Sequence, residues 1–383
     1  MDPETIPVIV AAVRTPMGKA DGVFADTRSE DLSVPLIEQI LAETALDPTS
    51  IEDLRWGCAQ QRDEQDNNLA RVICLLSSLG EDVPGTTINR WCASSMEAID
   101  SAANSIRVGQ HRAIIAGGVE SMSRVRLEDS IGSLHPTMTE LYNVGELQMG
   151  MTAEKVASEH DISREAQDEF ALESHKRAAA ATDDGRFAEE IVPIETADGL
   201  VETDTGIRPD TNLEALTKLP PVFMGDGTVT AGNASQITDG AAATLVTSLA
   251  FAREHDLDVL ARIGAATVVG VDPTMMGIGP VPATELLLER TERSIDEYDL
   301  VEINEAFASQ CEYARRALSI PRDRLNVNGG AIALGHPLGA SGARLPVTLL
   351  HELVRRGGRR GVASLCVGFG QGAAIEFDRH IEQ

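Results

Sequence analysis

The chain has 383 residues, of which 43% are hydrophobic and only 3% aromatic, so it is long enough for two or three domains with mainly aliphatic cores. That composition, with 33 glycines, favours a layered α/β fold over a β-sandwich. The net charge of −28 argues against a nucleic-acid partner, whose phosphates need a basic surface, and no apolar run reaches the ~20 residues that span a bilayer.

The charged residues and the cysteines indicate the cellular compartment and the salt conditions in which the protein functions. Met1-Asp2-Pro3-Glu4 lacks the basic and apolar segments of a secretory signal. The cysteines form no close pair, which argues against a disulfide framework and against zinc, so we expect a reducing cytoplasm. The acidic surplus is typical of a solvated surface. Its size indicates adaptation to high salt, where a Debye length of ~3 Å at 1 M screens carboxylate repulsion.

An internal repeat organises the chain. Residues 50–57 recur as 294–303, and residues 112–118 recur as 361–368. Short apolar runs closed by glycine are typical of buried strands, and the helical patterns between them indicate βαβ units. The sequence therefore predicts two related α/β halves.

The two halves differ beyond their last shared strand. In the second half a returning strand comes at once, whereas its counterpart near residue 240 comes after an insertion of domain size. We therefore expect an N-terminal half of residues 1–116 plus 236–258, an inserted lid of residues 117–235, and a C-terminal half of residues 259–383.

Cys92 lies where a predicted strand, residues 83–88, turns into a predicted helix. Apolar residues at spacings of three and four mark the buried helix face: Met96, Ile99, Ala103 and Ile106. Free N–H groups and the helix dipole at this turn would lower the thiol pKa. A lone cysteine is usually a packing residue, and we interpret Cys58, Cys74 and Cys311 that way, but this setting favours a nucleophile.

Three later stretches supply partners for such a thiol. Asn304 follows an apolar strand, where polar groups of α/β sites collect, although an asparagine there could also cap the next helix. His336 lies in a glycine-rich run and could accept the cysteine proton and then donate to an oxyanion. Cys366 precedes glycines that expose the backbone, so the N–H groups of Gly368 and Cys92 could form a second oxyanion hole.

These motifs together resemble the thiolase family across essentially the whole chain. Further matching motifs are Ala11-Val13-Arg14-Thr15-Pro16, Gly117 to Met122, Met149 to Glu154 and Thr230 to Ser235. The resemblance implies a five-layered αβαβα fold with a CoA-binding lid, and ping-pong chemistry in which His336 activates Cys92 and Cys366 is the second acid/base. It also implies that Asn304 holds a water molecule that binds one oxyanion together with His336.

The resemblance implies coenzyme A as a co-substrate and no permanent cofactor or metal. Contacts to CoA and the acyl group are implied for Ser235, Met276, Phe307, Arg208, Met149 and Ala306. Pro220 stands where the family usually has arginine, so a phosphate contact from that position is not expected. The family also forms homodimers or homotetramers, and degradative members can assemble with a partner that carries the preceding hydratase and dehydrogenase steps.

The subtype most similar is the degradative 3-ketoacyl-CoA thiolase of fatty-acid oxidation. Ser95, Phe369 and Gln148 differ from residues common in acetoacetyl-CoA-forming thiolases, which remain the alternative. A ketoacyl synthase would carry histidines where Asn304 and Cys366 stand. A catalytically inactive lipid- or CoA-binding protein would not need all four reactive residues, and a nicotinamide oxidoreductase would show a G-x-G-x-x-G motif after the first strand.

Overall fold

The computed structural model describes residues 2–127 and 134–381. The twelve strands in this part are β1 Pro7–Arg14, β2 Gly18–Lys19, β3 Asp53–Gly57, β4 Gly85–Ile88, β5 Ala113–Glu120, β6 Ile194–Thr196, β7 Gly199–Val201, β8 Thr238–Ser248, β9 Ala261–Gly270, β10 Leu300–Ile303, β11 Arg360–Val367 and β12 Gln371–Asp378. The α-helices in this part are α1 Ser29–Thr44, α2 Leu69–Leu76, α3 Ser94–Arg107, α4 Pro136–Leu141, α5 Met149–Glu159, α6 Arg164–Asp183, α7 Leu213–Thr217, α8 Leu249–Glu254, α9 Pro280–Thr291, α10 Ala308–Ala317, α11 Ala331–Leu334 and α12 Leu338–Arg356.

The strands of the two halves are joined in one sheet with the order β10-β11-β12-β9-β1-β8-β5-β3-β4, and β2 pairs with β8. The halves meet at β1 and β9, which pair only through Val8 with Arg262 and Ile9 with Ala261. A separate hairpin, β6 with β7, lies in the inserted segment. The chain is therefore built as a five-strand unit and a four-strand unit that share a short seam.

The predicted repeat is present in the topology. In the first half β3 pairs in parallel with β4 and β5, and β5 and β8 continue antiparallel to β1. In the second half β10 pairs in parallel with β11, and β11 and β12 continue antiparallel to β9. A parallel bridge from Val301 to Leu325 stands where β4 stands in the first half.

The helices form three layers around the sheet units. The helices α1 and α2 pack on one outer face, α9 and α10 pack on the other, and α3 and α12 lie between the two units. The α3–α12 contact needs small residues, because a Cβ at Gly342 would lie 2.5 Å from the Met96 nitrogen. The five-layered αβαβα fold predicted from the sequence is confirmed.

The expected start of the inserted segment, residue 117, falls within β5. This strand continues past its glycine pair without a turn and stays paired with β8 through Glu120. The described part of the segment contains α4 to α7 and the β6–β7 hairpin, while residues 128–133 lie outside the described residues. Likewise residues 1, 382 and 383, at the ends of the two predicted halves, lie outside them.

Candidate active site

The turn before α3 places Cys92 between the two sheet units. Trp91 has a φ of 47°, a left-handed conformation that is uncommon for a bulky residue and reverses the chain just before the cysteine. The turn is closed by Ser94, whose hydroxyl donates to the Trp91 carbonyl over 2.6 Å and accepts from the Arg90 N–H. Cys92 is only 2% exposed, so it lies at the bottom of the site.

Burial changes the expected ionisation of Cys92. Burial raises the pKa of this thiol to about 12, and hydrogen bonds from the backbone N–H groups of Gly368 and of Cys92 itself oppose that rise. The sequence-based expectation of a lowered pKa is therefore wrong for the free protein, since desolvation outweighs the helix terminus. Cys92 is a neutral thiol at neutral pH, and it needs a base in order to become a nucleophile.

His336 and Asn304, predicted from separate stretches, lie side by side. The Asn304 Nδ2 atom is 3.3 Å from each ring nitrogen of His336. Asn304 follows β10 directly, and its backbone N–H donates to the Ser364 carbonyl of β11. It does not cap α10, which starts at Ala308 with Phe307 in the cap position.

Ser341, which the sequence interpretation missed, determines the tautomer of His336. The Ser341 hydroxyl is 2.6 Å from Nδ1 of His336 and donates its single proton to the Pro337 carbonyl over 2.8 Å. Its oxygen must therefore accept from Nδ1–H, which leaves the lone pair on Nε2. The available signal was the position of this serine, one helical turn into α12 on the side of the histidine.

The electrostatic surroundings keep the His336 ring neutral. Burial, and then the nearby Arg344 guanidinium, lower the His336 pKa to about 3. Arg344 is 1% exposed, and its Nη1 lies 3.6 Å from Oε2 of Glu302, the residue two positions before Asn304. The imidazole is therefore in the form that can accept a proton at any pH near neutrality.

The second cysteine and its glycine-rich turn complete the centre. Cys366 is fully buried near the end of β11, and its pKa is raised by burial and by the neighbouring Cys92. Gly368 lies in the turn from β11 to β12, with its N–H directed at the Cys92 sulfur. Cys311 connects this pair to Asn304, because its thiol lies 3.4 Å from the Asn304 carbonyl and close enough to Cys366 for a charge there to raise the Cys311 pKa.

An apolar cluster lies against Cys366 and contains most of the residues expected to contact CoA. Met276, Phe307 and Ala306 belong to it, and Met149 packs on its edge. The Ser235 N–H donates to the Ala306 carbonyl over 2.9 Å, which places Ser235 beside the cluster. Arg208 is exposed, and its backbone N–H donates to His175, so its contact with CoA stays a prediction.

Phe223 is a second residue that the sequence interpretation missed. Its ring meets that of Phe307 edge-on with centroids 6.2 Å apart, and a Cβ at Gly150 would clash with the same ring. Phe223 is 39% exposed, so it covers the apolar cluster from the solvent side. An aromatic residue shortly after a Pro-Pro pair in a loop was the only available signal.

Within residues 2–127 and 134–381 no group of three or more His, Cys, Asp and Glu side chains could hold a metal ion. All five cysteines are free and buried. The helices in the described part of the chain include none that is long and apolar enough to cross a membrane.

Two family models match nearly all of the chain. The model described as "Thiolase, N-terminal domain" matches residues 7–250, and that described as "Thiolase, C-terminal domain" matches residues 257–379. The fold and this paired-cysteine site thus define the class: the chain belongs to the thiolase family, whose members are acyltransferases.

Individual relatives include two kinds of thiolase. A 3-ketoacyl-CoA thiolase of Erwinia tasmaniensis is 46% identical over an alignment of 383 residues. The match covers 97% of this chain and 99% of that protein. A beta-ketoadipyl-CoA thiolase of Pseudomonas putida is also 46% identical, over 396 residues, with 97% and 98% covered.

Solved structures with the same fold include a 3-ketoacyl-CoA thiolase and an acetyl-CoA acetyltransferase. Human mitochondrial 3-ketoacyl-CoA thiolase in complex with CoA has a TM-score of 0.91 and 41% identity, with 99% of each chain covered. A Bacillus anthracis acetyl-CoA acetyltransferase has a TM-score of 0.90 and 39% identity, with 98% of this chain and 99% of that one covered.

Proposed function

We propose that this thiolase cleaves 3-ketoacyl-CoA with free CoA, giving acetyl-CoA and an acyl-CoA shortened by two carbons, as in fatty-acid β-oxidation. The observation that carries the proposal is the meeting of the buried Cys92 sulfur, the Gly368 N–H and Cys366. Relatives with 3-ketoacyl-CoA thiolase in their names support the same reaction.

In the first half-reaction Cys92 attacks the 3-keto carbon and His336 takes its proton. Because both groups are neutral at rest, the proton moves as the carbon–sulfur bond forms, rather than beforehand. The protonated ring and a water molecule on Asn304 bind the resulting oxyanion. Asn304 suits this role because its Oδ1 is buried without a partner among the described residues, and can accept a hydrogen bond from that water.

Collapse of the oxyanion breaks the bond between carbons 2 and 3 and leaves the acyl group on Cys92. The departing acetyl-CoA enolate takes a proton from Cys366, whose raised pKa keeps it protonated until then. Cys366 then takes the proton of free CoA, whose thiolate attacks the Cys92 thioester. The N–H groups of Gly368 and Cys92 stabilise the oxyanion of this step, and His336 returns the proton to Cys92.

We assign the CoA and acyl contacts to Ser235, Met276, Phe307, Met149 and Ala306 at the apolar cluster. We assign a further CoA contact to the exposed Arg208 of the inserted segment. An apolar surface suits the pantetheine arm and an aliphatic acyl chain. Phe223 belongs with them, because its exposed ring extends that surface towards solvent. The inserted segment that carries Met149, Arg208 and Phe223 is thus proposed as the CoA-binding lid.

We further propose that the chain consists of an N-terminal half of residues 1–116 plus 236–258, the lid of residues 117–235, and a C-terminal half of residues 259–383. The antiparallel pairing of β8 with β1 supports joining the two N-terminal segments. A homodimer or homotetramer, a hydratase/dehydrogenase partner, a cytoplasmic location and adaptation to high salt remain part of the proposal. The surplus of 60 acidic over 32 basic residues supports the last of these.

The test is a thiolysis assay in high-salt buffer with acetoacetyl-CoA, longer straight-chain 3-ketoacyl-CoA esters and 3-ketoadipyl-CoA. A higher kcat/KM on the longer straight chains is expected. Activity on acetoacetyl-CoA alone would move the assignment to acetyl-CoA C-acetyltransferase in biosynthetic condensation. Preference for the carboxylated substrate would move it towards the beta-ketoadipyl-CoA type. CoA binding without turnover of any ester would indicate an inactive binding protein.

A further inference from the structure

Two strained aromatic residues flank the reactive groups, one on each half of the chain. Trp91 has a φ of 47° and Phe369 a φ of 61°, and no other aromatic residue in the described part of the chain has positive φ. A left-handed conformation is strained for such a residue, so the surroundings must hold it. Trp91 directly precedes Cys92, and Phe369 directly follows Gly368.

The two side chains touch each other across the junction of the halves. Their ring centroids are 5.4 Å apart with an angle of 52° between the planes. Gly368 lies beneath the indole, since a Cβ on it would be 3.3 Å from Cγ of Trp91. The Trp91–Phe369 contact thus connects the turn that carries Cys92 to the turn that carries the Gly368 N–H.

A polar contact runs beside the aromatic one. Nη1 of Arg90 donates to Oε1 of Gln371 over 3.3 Å, and Nε2 of Gln371 donates to the Gly368 carbonyl over 3.4 Å. Arg90 is itself held by Glu97 of α3 over 2.7 Å. Both contacts therefore join the same two turns, and the polar one ends at the Gly368 carbonyl.

We propose that Trp91 and Phe369 are positioning residues that hold the Gly368 N–H against the Cys92 sulfur, and so preserve the geometry of the proposed oxyanion hole. The role in turnover rests on the proposed function, whereas the effect on the Cys92 thiol does not. The strain at both residues is maintained because a left-handed turn is what directs each ring towards the other. Arg90 and Gln371 contribute to the same alignment through the backbone of Gly368.

The test uses Trp91→Leu, Phe369→Leu and the double variant, which all keep a side chain at the left-handed positions. The first measurement is the rate of Cys92 alkylation by iodoacetamide at fixed pH, followed by mass spectrometry without any CoA ester. Each single variant is expected to react about three- to tenfold more slowly, because the thiolate loses a hydrogen bond. Opening the entrance alone would increase the rate, so the sign separates the two effects.

The double variant tests whether the rings act as one contact. Its alkylation rate is expected to equal that of the slower single variant, since either substitution already breaks the contact. In thiolysis kcat is expected to fall roughly tenfold with KM for CoA unchanged. Trp91→Phe and Phe369→Tyr keep both rings and are expected to restore alkylation and kcat to near the wild-type values.

Matched controls make the result decisive. Tyr313→Leu removes a different aromatic contact, the one with His160, and is expected to leave alkylation unchanged. If a leucine variant fails to fold, Gln371→Met breaks the parallel polar contact and is expected to slow alkylation about two- to threefold. Unchanged or faster alkylation in the folded variants, or additive effects in the double variant, would overturn the proposal. Wild-type protein that turns over no 3-ketoacyl-CoA would instead count against the proposed function alone.

Discussion

The corresponding strand ends of the two halves carry buried polar residues that differ in their hydrogen bonding. In the first half Gly57 of β3 pairs with Gly118 of β5, and in the second half Ile303 of β10 pairs with Ser364 of β11. Counting onward from these pairs, Cys58 corresponds to Asn304 and Glu120 corresponds to Cys366. The duplicated fold thus provides the same two positions twice.

The difference lies in hydrogen bonding. The Glu120 carboxylate accepts from the N–H groups of Ala59, Gln60 and Gly339 and from the Gln65 amide at 2.7–3.1 Å. Oδ1 of Asn304 has no partner among the described residues. A satisfied buried group stabilises the fold, whereas an unsatisfied one is available to water or substrate. We therefore infer that the first half holds the site together and that the second half performs its acid–base chemistry.

Each half has one cysteine at these positions, Cys58 in the first half and Cys366 in the second, and their substitution should separate these roles most strongly. Cys366→Ala is expected to lower kcat for thiolysis by about 10³-fold, because the enolate loses its proton donor. Cys58→Ala is expected to keep kcat within about threefold, since its thiol makes only a long hydrogen bond, 3.8 Å, to Oε1 of Glu120. Steady-state kinetics of both purified variants check this. Equal losses would remove the functional distinction between the halves.

Asn304 and Glu120 should show the reverse pattern of stability and activity. Asn304→Ala is expected to lower kcat roughly 10²-fold while changing the free energy of unfolding by less than about 1 kcal/mol. Glu120→Ala is expected to cost about 3 kcal/mol of stability, because it leaves several buried N–H groups unpaired. Denaturant titration beside the thiolysis assay measures both quantities. A stable Glu120→Ala protein would contradict the structural role.

Ser341→Ala should slow proton transfer by His336, with a smaller loss of kcat than Asn304→Ala. Without the hydroxyl acceptor, Nδ1 of His336 loses the partner that fixes the tautomer, and kcat is expected to fall about tenfold. Ser341→Thr retains a hydroxyl and is the matched control. A kcat within about twofold of wild type for Ser341→Ala would show that Asn304 alone orients the ring.

The acidic exterior extends the comparison from strand ends to the whole chain. With 60 acidic and 32 basic residues, self-repulsion is expected to lower activity several-fold below about 1 M salt. Activity and Tm measured between low and high KCl test this. The buried centre should not respond directly, so Cys92 alkylation in folded protein is expected to change less than Tm. Full activity at low salt would contradict the halophilic interpretation.

The smallest effect concerns His175, a buried histidine of the lid. Burial lowers the His175 pKa to about 4 in the folded protein. As the pH falls, the unfolded chain therefore takes up a proton at this histidine before the folded protein does, and stability should be lost as pH falls from about 6.5 towards 4. His175→Gln keeps an acceptor for the Arg208 N–H and is expected to move the acid-unfolding midpoint to lower pH. Acid titration by circular dichroism measures it. An unchanged midpoint would show that protonation of His175 does not contribute to acid unfolding.

The structural features that could be predicted from the sequence are those that depend on the local pattern of apolar residues and glycines. The β10 strand, the face of α3 and the repeat were all confirmed, because apolar periodicity and glycine boundaries report directly on burial. Cys92, Asn304, His336 and Cys366 were predicted as reactive residues from short motifs, and the structure brings the strands and helices that carry them together.

The features that sequence reasoning missed depend on contacts between distant segments. No role was predicted for Ser341, since its contact with His336 requires the three-dimensional turn between them. Phe223 reaches Phe307 from a loop without periodicity. The Cys92 pKa was predicted in the wrong direction, because a local helix terminus is visible in the sequence whereas the extent of desolvation is not.

The decisive experiment is intact and peptide mass spectrometry of the protein mixed with a straight-chain 3-ketoacyl-CoA in the absence of free CoA. We expect acetyl-CoA to be released and the shortened acyl group to be found on the Cys92 peptide. The group should disappear when CoA is added, and it should not form in Cys92→Ala. An acyl group on another residue, or acetyl-CoA release by Cys92→Ala, would contradict the assignment of Cys92 as the nucleophile.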